Sequence, residues 1–193
     1  MIIGLIIIAA IVGLDQGLKH LAKFLLEGNG LNGAEETVTW ISHVLEFKYV
    51  ENPGAAWGML EGKQIFFFLI TIVALGIFGY LFTKSDFKKK KVYSLAVAFL
   101  IAGTLGNAID RLFLSYVIDF IHVPFLTYIL KIVGLANFYF NIADLALTVG
   151  VVLTMVDIFF LEPKRNKKEK ETERVESVYD GVENKGRDSD ENW

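Results

Sequence analysis

Residues 64–83 read QIFFFLITIVALGIFGYLFT, a run of 20 residues that contains no charged side chain. At about 1.5 Å per residue, a helix of this length covers the roughly 30 Å hydrocarbon core of a bilayer. The whole chain is 53% hydrophobic over 193 residues, with 16 Phe and only 3 Pro. Because a soluble domain of this size would be less apolar, the composition and this run predict a membrane protein.

Two more apolar runs predict further membrane helices. One covers residues 92–109 without a charge and ends at a charged pair. The other extends from about residue 141 to residue 161 and is interrupted by Asp144 near one end and Asp157 near the other. Each run is long enough to cross a bilayer as a helix.

The first segment needs a longer helix, because residues 1–14 are uncharged but would span only about 21 Å. A crossing helix must continue past Asp15 and Lys19 toward Leu26, and these two charges, four residues apart, can neutralise each other on one helix face. A cleaved signal peptide is the alternative. It is disfavoured because the segment lacks a basic start and has charged residues where a small-residue cleavage site is expected.

The loop charges predict the orientation of the four spans. Residues 84–91 hold five Lys against one Asp, and residues 164–170 hold five basic residues against one Glu. Residues 27–63, in contrast, hold six Glu against two Lys. Because positively charged loops stay in the cytoplasm, both termini are predicted to be cytoplasmic, with 27–63 and 110–139 outside.

The extracytoplasmic segment 27–63 is predicted to contain β-structure. Leu45, Phe47 and Tyr49 alternate with charged residues, a pattern typical of a half-buried strand, and residues 37–40 are its candidate partner. The predicted fold is therefore an all-α polytopic membrane protein of four transmembrane helices, with a small extracytoplasmic β-sheet.

Two aspartates at the margins of the apolar runs are candidates for chemistry. Asp119 lies in VIDF at 117–120, and Asp144 lies in FNIAD at 140–144. A carboxylate near hydrocarbon is costly and usually has a function in a polar interior. The predicted topology places both near the outer surface, where two close carboxyls would share a proton. Such a pair can activate water with its ionised member and polarise an amide carbonyl with its protonated member.

Five sequence blocks carry a resemblance to a known family. They occur in order within residues 1–161: Asp15-Gln16 with Lys19, NPGAAWG at 52–58, GNAIDR at 106–111, VIDF at 117–120 and FNIAD at 140–144. Together with four apolar spans these blocks are specific, and the chain that carries them resembles lipoprotein signal peptidase, also called signal peptidase II. That family is the bacterial aspartic enzyme that removes signal peptides from prolipoproteins.

The resemblance implies that Asp119 and Asp144 are the catalytic dyad, with Asp15 and Lys19 as a supporting polar pair. The implied substrate is a diacylglyceryl-modified prolipoprotein, cleaved on the amino side of its lipidated Cys. We expect a monomer in the bacterial cytoplasmic membrane, in contact with lipid, that needs neither metal nor cofactor. Further residues are implied to shape the site or bind substrate: Asn52, Gly54, Asn107, Asp110, Arg111 and Asn141.

The chain is predicted to divide into a peptidase domain at 1–163 and a charged, disordered cytoplasmic tail at 164–193. Within the domain, helices 3 and 4 are joined by a link at 112–139, and its stretch 122–139 is longer than the resemblance leads us to expect. Its apolar run Phe125–Leu130 is predicted to lie on the outer leaflet, as a lid over the site or in contact with substrate lipid.

Other interpretations of these residues stay open. Asp144 can serve only as a helix cap, Asp110 and Arg111 can form a neutralised pair at a helix end, and His122 is a less favoured candidate base. The alternative functions are a small proton-coupled membrane transporter and a non-catalytic scaffold. The absence of Cys from the sequence excludes disulfides and thiolate chemistry, and no basic face indicates a nucleic-acid partner.

Overall fold

The computed structural model describes residues 1–27, 38–41, 44–54, 64–130 and 138–174. Helical structure continues beyond the last α-helix as a π-helix, Asp157–Leu161, and then through residue 174. The chain divides into two compact units, Met1–Leu153 and Thr154–Trp193. The elements, in chain order, are α1 (Ile2–Leu26), β1 (Val38–Ile41), β2 (Leu45–Asn52), α2 (Gln64–Thr83), α3 (Lys91–Leu114), β3 (Val117–His122), α4 (Pro124–Leu130), β4 (Tyr139–Phe140) and α5 (Ile142–Val156).

The predicted membrane helices are present. α1 continues to Leu26, as a crossing helix requires, and α2 has the predicted bounds. α3 continues to Leu114, beyond the predicted end, because Asp110 is buried against another helix and does not mark the exit to water. Among the described residues, four helices are long and apolar enough to cross a membrane: Ile2–Leu26, Ile65–Thr83, Lys91–Leu114 and Ile142–Arg174.

Glycines on α3 allow α1, α3 and α5 to approach closely. A Cβ added at Gly103 would collide with the carbonyl oxygen of Ala143. A Cβ added at Gly106 would lie 2.6 Å from Asp15 Oδ2 and 2.9 Å from the Cβ of Ala143. Gly106 therefore marks the point where the three helices meet, and a larger side chain there would displace the carboxylate of Asp15.

Replacing Gly106 by Ala is expected to lower the free energy of unfolding by about 1–3 kcal/mol, the usual cost of overpacking a close helix contact. Gly17→Ala is the matched control, because nothing lies within 4 Å of the Cβ it would add. Ala is the better helix former by about 1 kcal/mol, so Gly17→Ala is expected to be neutral or slightly stabilising. Thermal unfolding of the purified protein in detergent checks both, and equal midpoints for the two variants would contradict the close contact at Gly106.

The strands form one antiparallel sheet in the order β1-β2-β3-β4. The predicted pairing of β1 with β2 is confirmed, with Val38 opposite Phe47. The sequence did not predict β3 or β4. β3 is buried at every position except His122, so it lacks the alternation by which half-buried strands are recognised.

The sheet packs against the C-terminal end of α1. Ala22 and Leu26 of α1 form one apolar cluster with Ile118, Phe120 and Ile121 of β3. Burial of these side chains fixes β3 on the helices, since each large apolar side chain removed from water contributes about 1.5–3 kcal/mol. Asp119, between Ile118 and Phe120, is thereby held at the junction of the sheet and the helices.

α4 occupies part of the link between β3 and β4, and none of its residues is buried. Phe125 is 66% exposed and Tyr128 is 75% exposed. Thr127 Oγ1 lies 2.9 Å from His122 Nε2, which joins α4 to β3. The predicted lid stays a prediction, and residues 131–137 of the same link lie outside the described residues.

The second unit departs from the predicted disordered tail. Residues 164–174 are helical, and we attribute this to their Lys and Glu content, which favours helix and supplies pairs at i,i+4 spacing such as Lys167–Glu171, 3.9 Å apart. Asp157 accepts two hydrogen bonds of 2.7 Å from the guanidinium of Arg165. Residues 175–193 lie outside the described residues, so disorder there stays a prediction.

Candidate active site

Asp119 lies in the middle of β3, beside the end of β2. It is paired with Val50, and Asn52 follows two residues later on the same face of β2. Asn52 Nδ2 consequently donates a hydrogen bond of 2.8 Å to Asp119 Oδ2. Asn52 Oδ1 accepts a hydrogen bond of 3.1 Å from the Gly54 N–H, which fixes the orientation of the amide. The sheet register thus gives Asp119, which is only 2% exposed, a partner for one carboxylate oxygen.

Asp144 stands in the first turn of α5, where it forms a capping box with Asn141. The Asp144 N–H donates to Asn141 Oδ1 at 2.9 Å, and the Asn141 N–H donates to Asp144 Oδ2 at 3.2 Å. This reciprocal pair satisfies two N–H groups that a helix start leaves unpaired. Asp144 therefore helps to cap α5, but the cap uses only one of its carboxylate oxygens. The other, Oδ1, accepts a hydrogen bond of 2.7 Å from Asn107 Nδ2.

Asn141 joins the two carboxylates. Its Nδ2 donates to Asp119 Oδ1 at 2.7 Å, while its backbone N–H and its Oδ1 bind Asp144. The same Nδ2 lies 3.1 Å from Asn107 Oδ1 and 3.2 Å from the carbonyl oxygen of Ile118. Asn141 is fully buried, so contacts on every side hold its orientation. The structure therefore brings together five of the predicted site residues in one hydrogen-bonded network: Asn52, Asn107, Asp119, Asn141 and Asp144.

A buried charge cluster supports this network from the side of α1. Lys19 Nζ lies 2.8 Å from Asp15 Oδ2 and 2.9 Å from Asp110 Oδ2, and it donates to Asn107 Oδ1 at 3.0 Å. Asp15 and Lys19 are 0% exposed, and Asp110 is 2% exposed. The predicted pairing of Asp15 with Lys19 is confirmed. The second ion pair, to Asp110, was not predicted because it joins residues 91 positions apart.

The same cluster positions the backbone beside both candidate carboxylates. Asp15 Oδ1 accepts a hydrogen bond of 2.8 Å from the N–H of Ala143, the residue before Asp144. Asp110 Oδ2 accepts one of 3.0 Å from the N–H of Ile118, the residue before Asp119. Hydrogen bonds to buried carboxylates are among the stronger ones in proteins, so the cluster anchors the start of α5 and the centre of β3 together.

The surroundings of Asp119 raise its pKa. Burial raises the pKa to about 7, and the negative charge of Asp144 acts in the same direction. Hydrogen bonds from Asn52 and Asn141 and the charge of Lys19 oppose the rise in pKa. A carboxyl that titrates near neutral pH can hold a proton while a neighbouring carboxyl is ionised, which is the arrangement that acid–base chemistry on an amide requires.

Comparison with known families shows which family the chain matches. The family model described as signal peptidase (SPase) II matches residues 7–160. The chain belongs to the signal peptidase II family. Every residue of the network and of the charge cluster lies within the matched range, so the features that set the geometry of the site belong to the part of the chain that the family shares.

Members of the signal peptidase II family resemble the chain over most of its length. The lipoprotein signal peptidase of Latilactobacillus sakei is 40% identical over 161 residues, which are 83% of this chain and 93% of that protein. The lipoprotein signal peptidase of Enterococcus faecalis is 36% identical over 156 residues, 81% of this chain and 87% of that protein. A solved bacterial membrane enzyme, determined by the in meso method at 1.9 Å resolution, has a TM-score of 0.66 at 33% identity and covers 83% of this chain and 95% of its own.

These relationships confirm the resemblance seen in the sequence. The chain is a peptidase of the aspartic type, and its four apolar helices make it a multi-pass bacterial membrane protein. The solved relative is similar to this structure over 95% of its own chain.

The alternative in which Asp110 and Arg111 form a neutralised pair is wrong. Neighbouring residues on a helix point about 100° apart, so they do not face each other. Asp110 turns toward Lys19, whereas the guanidinium of Arg111 lies 4.8 Å from the ring centroid of Phe67, and its Nη1 is 3.5 Å from the carbonyl oxygen of Asn107. The charge of Arg111 still acts on both candidate carboxylates, so it belongs to the site without neutralising Asp110.

His122 has structural contacts on both sides of its ring. Its Nδ1 lies 3.0 Å from Glu46 Oε2, its Nε2 lies 2.9 Å from Thr127 Oγ1, and its ring stacks on Tyr139 with centroids 4.7 Å apart. Both nitrogens are therefore occupied by groups outside the Asp119–Asp144 network. His122 joins β2, β3, β4 and α4, and it is not placed to act as the base of this site.

Gln16 is a member of the site that the sequence interpretation did not assign. Its Nε2 donates to Asp110 Oδ1 at 2.9 Å and to the carbonyl oxygen of Gly106 at 3.0 Å. It thus satisfies the carboxylate oxygen of Asp110 that Lys19 does not reach. The available signal was its place beside Asp15 in the first of the five sequence blocks.

Proposed function

We propose that Asp119 and Asp144 are the catalytic dyad of this peptidase, and that it releases signal peptides from prolipoproteins by hydrolysing the peptide bond before a diacylglyceryl-modified Cys. The observation that carries the dyad is that both carboxylates bind one fully buried residue, Asn141. Membership in the signal peptidase II family and relatives described as lipoprotein signal peptidases support the proposed substrate.

The hydrogen bonds leave both carboxyls able to react. Each of the four carboxylate oxygens accepts one hydrogen bond from an amide: Asn52 and Asn141 bind those of Asp119, and Asn107 and Asn141 bind those of Asp144. A carboxylate oxygen offers two acceptor positions, so each keeps one for water or for a shared proton. The amides thus orient the dyad without saturating it.

Hydrolysis then needs one ionised and one protonated carboxyl. The ionised carboxylate takes a proton from water as the water oxygen bonds to the scissile carbonyl carbon, and the protonated carboxyl donates to the developing oxyanion. When the tetrahedral intermediate collapses, the C–N bond breaks and the leaving amine takes a proton from the carboxyl that had accepted one from water. A hydroxyl of the intermediate returns its proton to the other carboxylate as the carbonyl re-forms. The dyad again holds a single proton, so no further reactant is required.

The charge cluster lets the dyad keep that proton. Lys19 is already compensated by two carboxylates, those of Asp15 and Asp110, and it reaches the dyad only through the amide of Asn107. A cation in direct contact with Asp119 or Asp144 would favour the ionised form and lower the pKa of that carboxyl. We therefore assign Lys19, Asp15 and Asp110 to positioning.

We also propose that the dyad faces the outer side of the cytoplasmic membrane. The Lys-rich residues 84–91 join α2 to α3, at the end of these helices opposite the one from which β3 and Asp119 follow. Since Lys-rich loops stay in the cytoplasm, the dyad end is the extracytoplasmic end. We propose a monomer that contacts membrane lipid, because the network described above is complete within one chain.

The substrate proposal is tested with purified protein in vesicles and two forms of one prolipoprotein. One form carries the diacylglyceryl-modified Cys and the other carries the same Cys unmodified. We expect cleavage of the modified form alone, with a released peptide whose mass places the cut on the amino side of that Cys. Equal cleavage of both forms would contradict the requirement for lipid, and cleavage of neither would contradict the proposed function.

Cleavage is expected to fall as pH rises through about 7, because Asp119 has a pKa of about 7 and a dyad with both carboxyls ionised cannot protonate the oxyanion. The hydrogen bond from Asn52 stabilises the ionised form of Asp119, so it lowers that pKa. Asn52→Ala is expected to raise the pKa and move the alkaline limb of kcat to higher pH, whatever its effect on the maximal rate. An alkaline limb that stays in place or moves to lower pH would show that Asp119 does not determine the position of that limb.

A further inference from the structure

An apolar groove between α2 and α3 has a cavity volume of about 440 Å³. That volume lies within the range of about 300–1,000 Å³ typical of small-molecule sites. The groove extends along α2 from Ile65 to Leu75, and Thr71 and Ala108 stand on its two walls. Nothing in the mechanism proposed above uses this space.

The groove has a polar end beside the dyad. Of the residues that line it, Arg111 is the one that carries a charge. Arg111 Nη1 lies 3.5 Å from the carbonyl oxygen of Asn107, and Asn107 Nδ2 binds Asp144. Asn107 therefore connects Arg111, at one end of the groove, to the proposed catalytic carboxyl of Asp144. An apolar cavity with a cation at one end suits a ligand with a hydrocarbon chain and an oxygen-rich head.

The length of the groove corresponds to one acyl chain in one leaflet. The ten helical steps from Ile65 to Leu75 span about 15 Å of helix. That distance is half of the roughly 30 Å hydrocarbon core of a bilayer, which is the depth that the lipid chains of a single leaflet fill. A chain that enters beside Arg111 and follows α2 would end near the middle of the membrane.

We propose that this groove binds one acyl chain of the substrate's diacylglyceryl group, with the Arg111 guanidinium donating hydrogen bonds to the ester oxygens at its mouth. This inference rests on the proposed function, since it assigns a subsite to that substrate. The lipid is attached to the Cys next to the scissile bond, so fixing an acyl chain fixes the position of that bond relative to the dyad. Because the groove and the bilayer are both apolar, moving an acyl chain from lipid into the groove adds little affinity. The main effect of the groove is to orient the scissile bond.

Filling the groove tests the assignment. Thr71→Phe and Ala108→Phe place a ring in it from opposite walls, so a folding defect in one leaves the other as a test. Ala74→Phe is the control, because Ala74 lines a separate groove of about 400 Å³ on α2 whose lining carries no charge. The probes are two prolipoprotein peptides that differ only in the lipid on Cys, with two hexadecanoyl or two hexanoyl chains.

We expect the parent protein to cleave the hexadecanoyl substrate with a kcat/KM about tenfold above that of the hexanoyl substrate, because a held chain orients the scissile bond. In Thr71→Phe and Ala108→Phe this ratio is expected to fall to about one, through loss on the long-chain substrate alone. In Ala74→Phe the parent ratio is expected to persist. Comparing chain lengths within each variant separates loss of a subsite from a general loss of activity.

Other outcomes would overturn the assignment. A parent ratio near one, or filled variants that keep the parent ratio, would mean that the groove holds only bulk membrane lipid. An equal loss on both substrates would mean that filling acts through the fold. If the parent cleaves neither substrate, the proposed function fails and the inference falls with it.

A second measurement does not need turnover. In the Asp119→Asn protein, a prolipoprotein with a photoreactive group in the middle of one acyl chain is expected to label peptides from α2 and α3. Ala108→Phe should remove that labelling and Ala74→Phe should not. Labelling confined to other helices would overturn the assignment.

Discussion

Replacing Lys19 by Met is expected to lower the free energy of unfolding by about 3–5 kcal/mol, the usual cost of removing one partner from a buried ion pair. The substitution keeps an unbranched side chain, one heavy atom shorter, and removes its charge. Asp15 and Asp110, which are 0% and 2% exposed, would then lie close together without a counter-ion. Asn107 Oδ1 would also lose its hydrogen bond from Lys19, so the amide that binds Asp144 would be less well oriented.

Thermal unfolding of the purified protein in detergent measures this effect. Lys23→Met is the matched control, one helical turn further along α1. Lys23 Nζ is 3.9 Å from Glu27 Oε1, and both side chains are more than one-third exposed, at 38% and 34%. An exposed pair of this kind contributes at most about 1 kcal/mol. A Lys19→Met protein as stable as the Lys23→Met protein would contradict a buried charge cluster.

A double substitution separates charge from packing. If the cost of Lys19→Met comes from unpaired negative charge, adding Asp110→Asn should recover part of the lost stability, since it removes one of the two carboxylates. If the cost comes from packing alone, the second substitution would add to the loss. The sign of the change decides between these causes.

The membrane helices were predictable because a single physical requirement determines them. Crossing the bilayer needs about 20 residues with few charges, and α2 therefore begins and ends where its uncharged run does. α1 was predicted to continue past Asp15 and Lys19 for the same reason, which required the two charges to pair. The identity of the candidate site residues came from sequence blocks, and their grouping from the topology of the spans.

The partners within the site were not predictable from spacing. Asp110 and Arg111 are neighbours in sequence, but the helix turns them toward different elements, and Asp110 pairs with Lys19 on another helix. β3 was missed because its buried apolar residues show no alternation. The link from Asp119 to Asn52 depends on the register of β2 with β3, and that register is a property of the folded sheet.

Asp119→Asn and Asp144→Asn are each expected to lower the cleavage rate by about 10³-fold or more, near the upper range for loss of a general acid or base. Asn has the shape of Asp but neither takes a proton from water nor donates one to the oxyanion. In Asp144→Asn a side-chain oxygen can still accept the hydrogen bond of the capping box, so the start of α5 should be retained. The loss of activity should therefore exceed any loss of stability.

Asp86→Asn provides the control for both substitutions. Asp86 lies in the Lys-rich connection between α2 and α3, where its Oδ1 accepts hydrogen bonds from the N–H groups of Lys88 and Lys89 at 2.8 and 3.0 Å. It is outside the network of Asn141, so its replacement is expected to leave the cleavage rate within about twofold of the parent, as for surface changes of ±0.5 kcal/mol.

The most direct measurement is the single-turnover rate of cleavage of a diacylglyceryl-modified prolipoprotein by the parent, Asp119→Asn, Asp144→Asn and Asp86→Asn proteins, with the unfolding midpoint of each recorded alongside. The dyad assignment predicts that both network variants lose cleavage while remaining folded and that Asp86→Asn cleaves like the parent. A folded Asp119→Asn or Asp144→Asn protein that cleaves at near-parent rate would contradict it, because that carboxyl would then serve the structure alone.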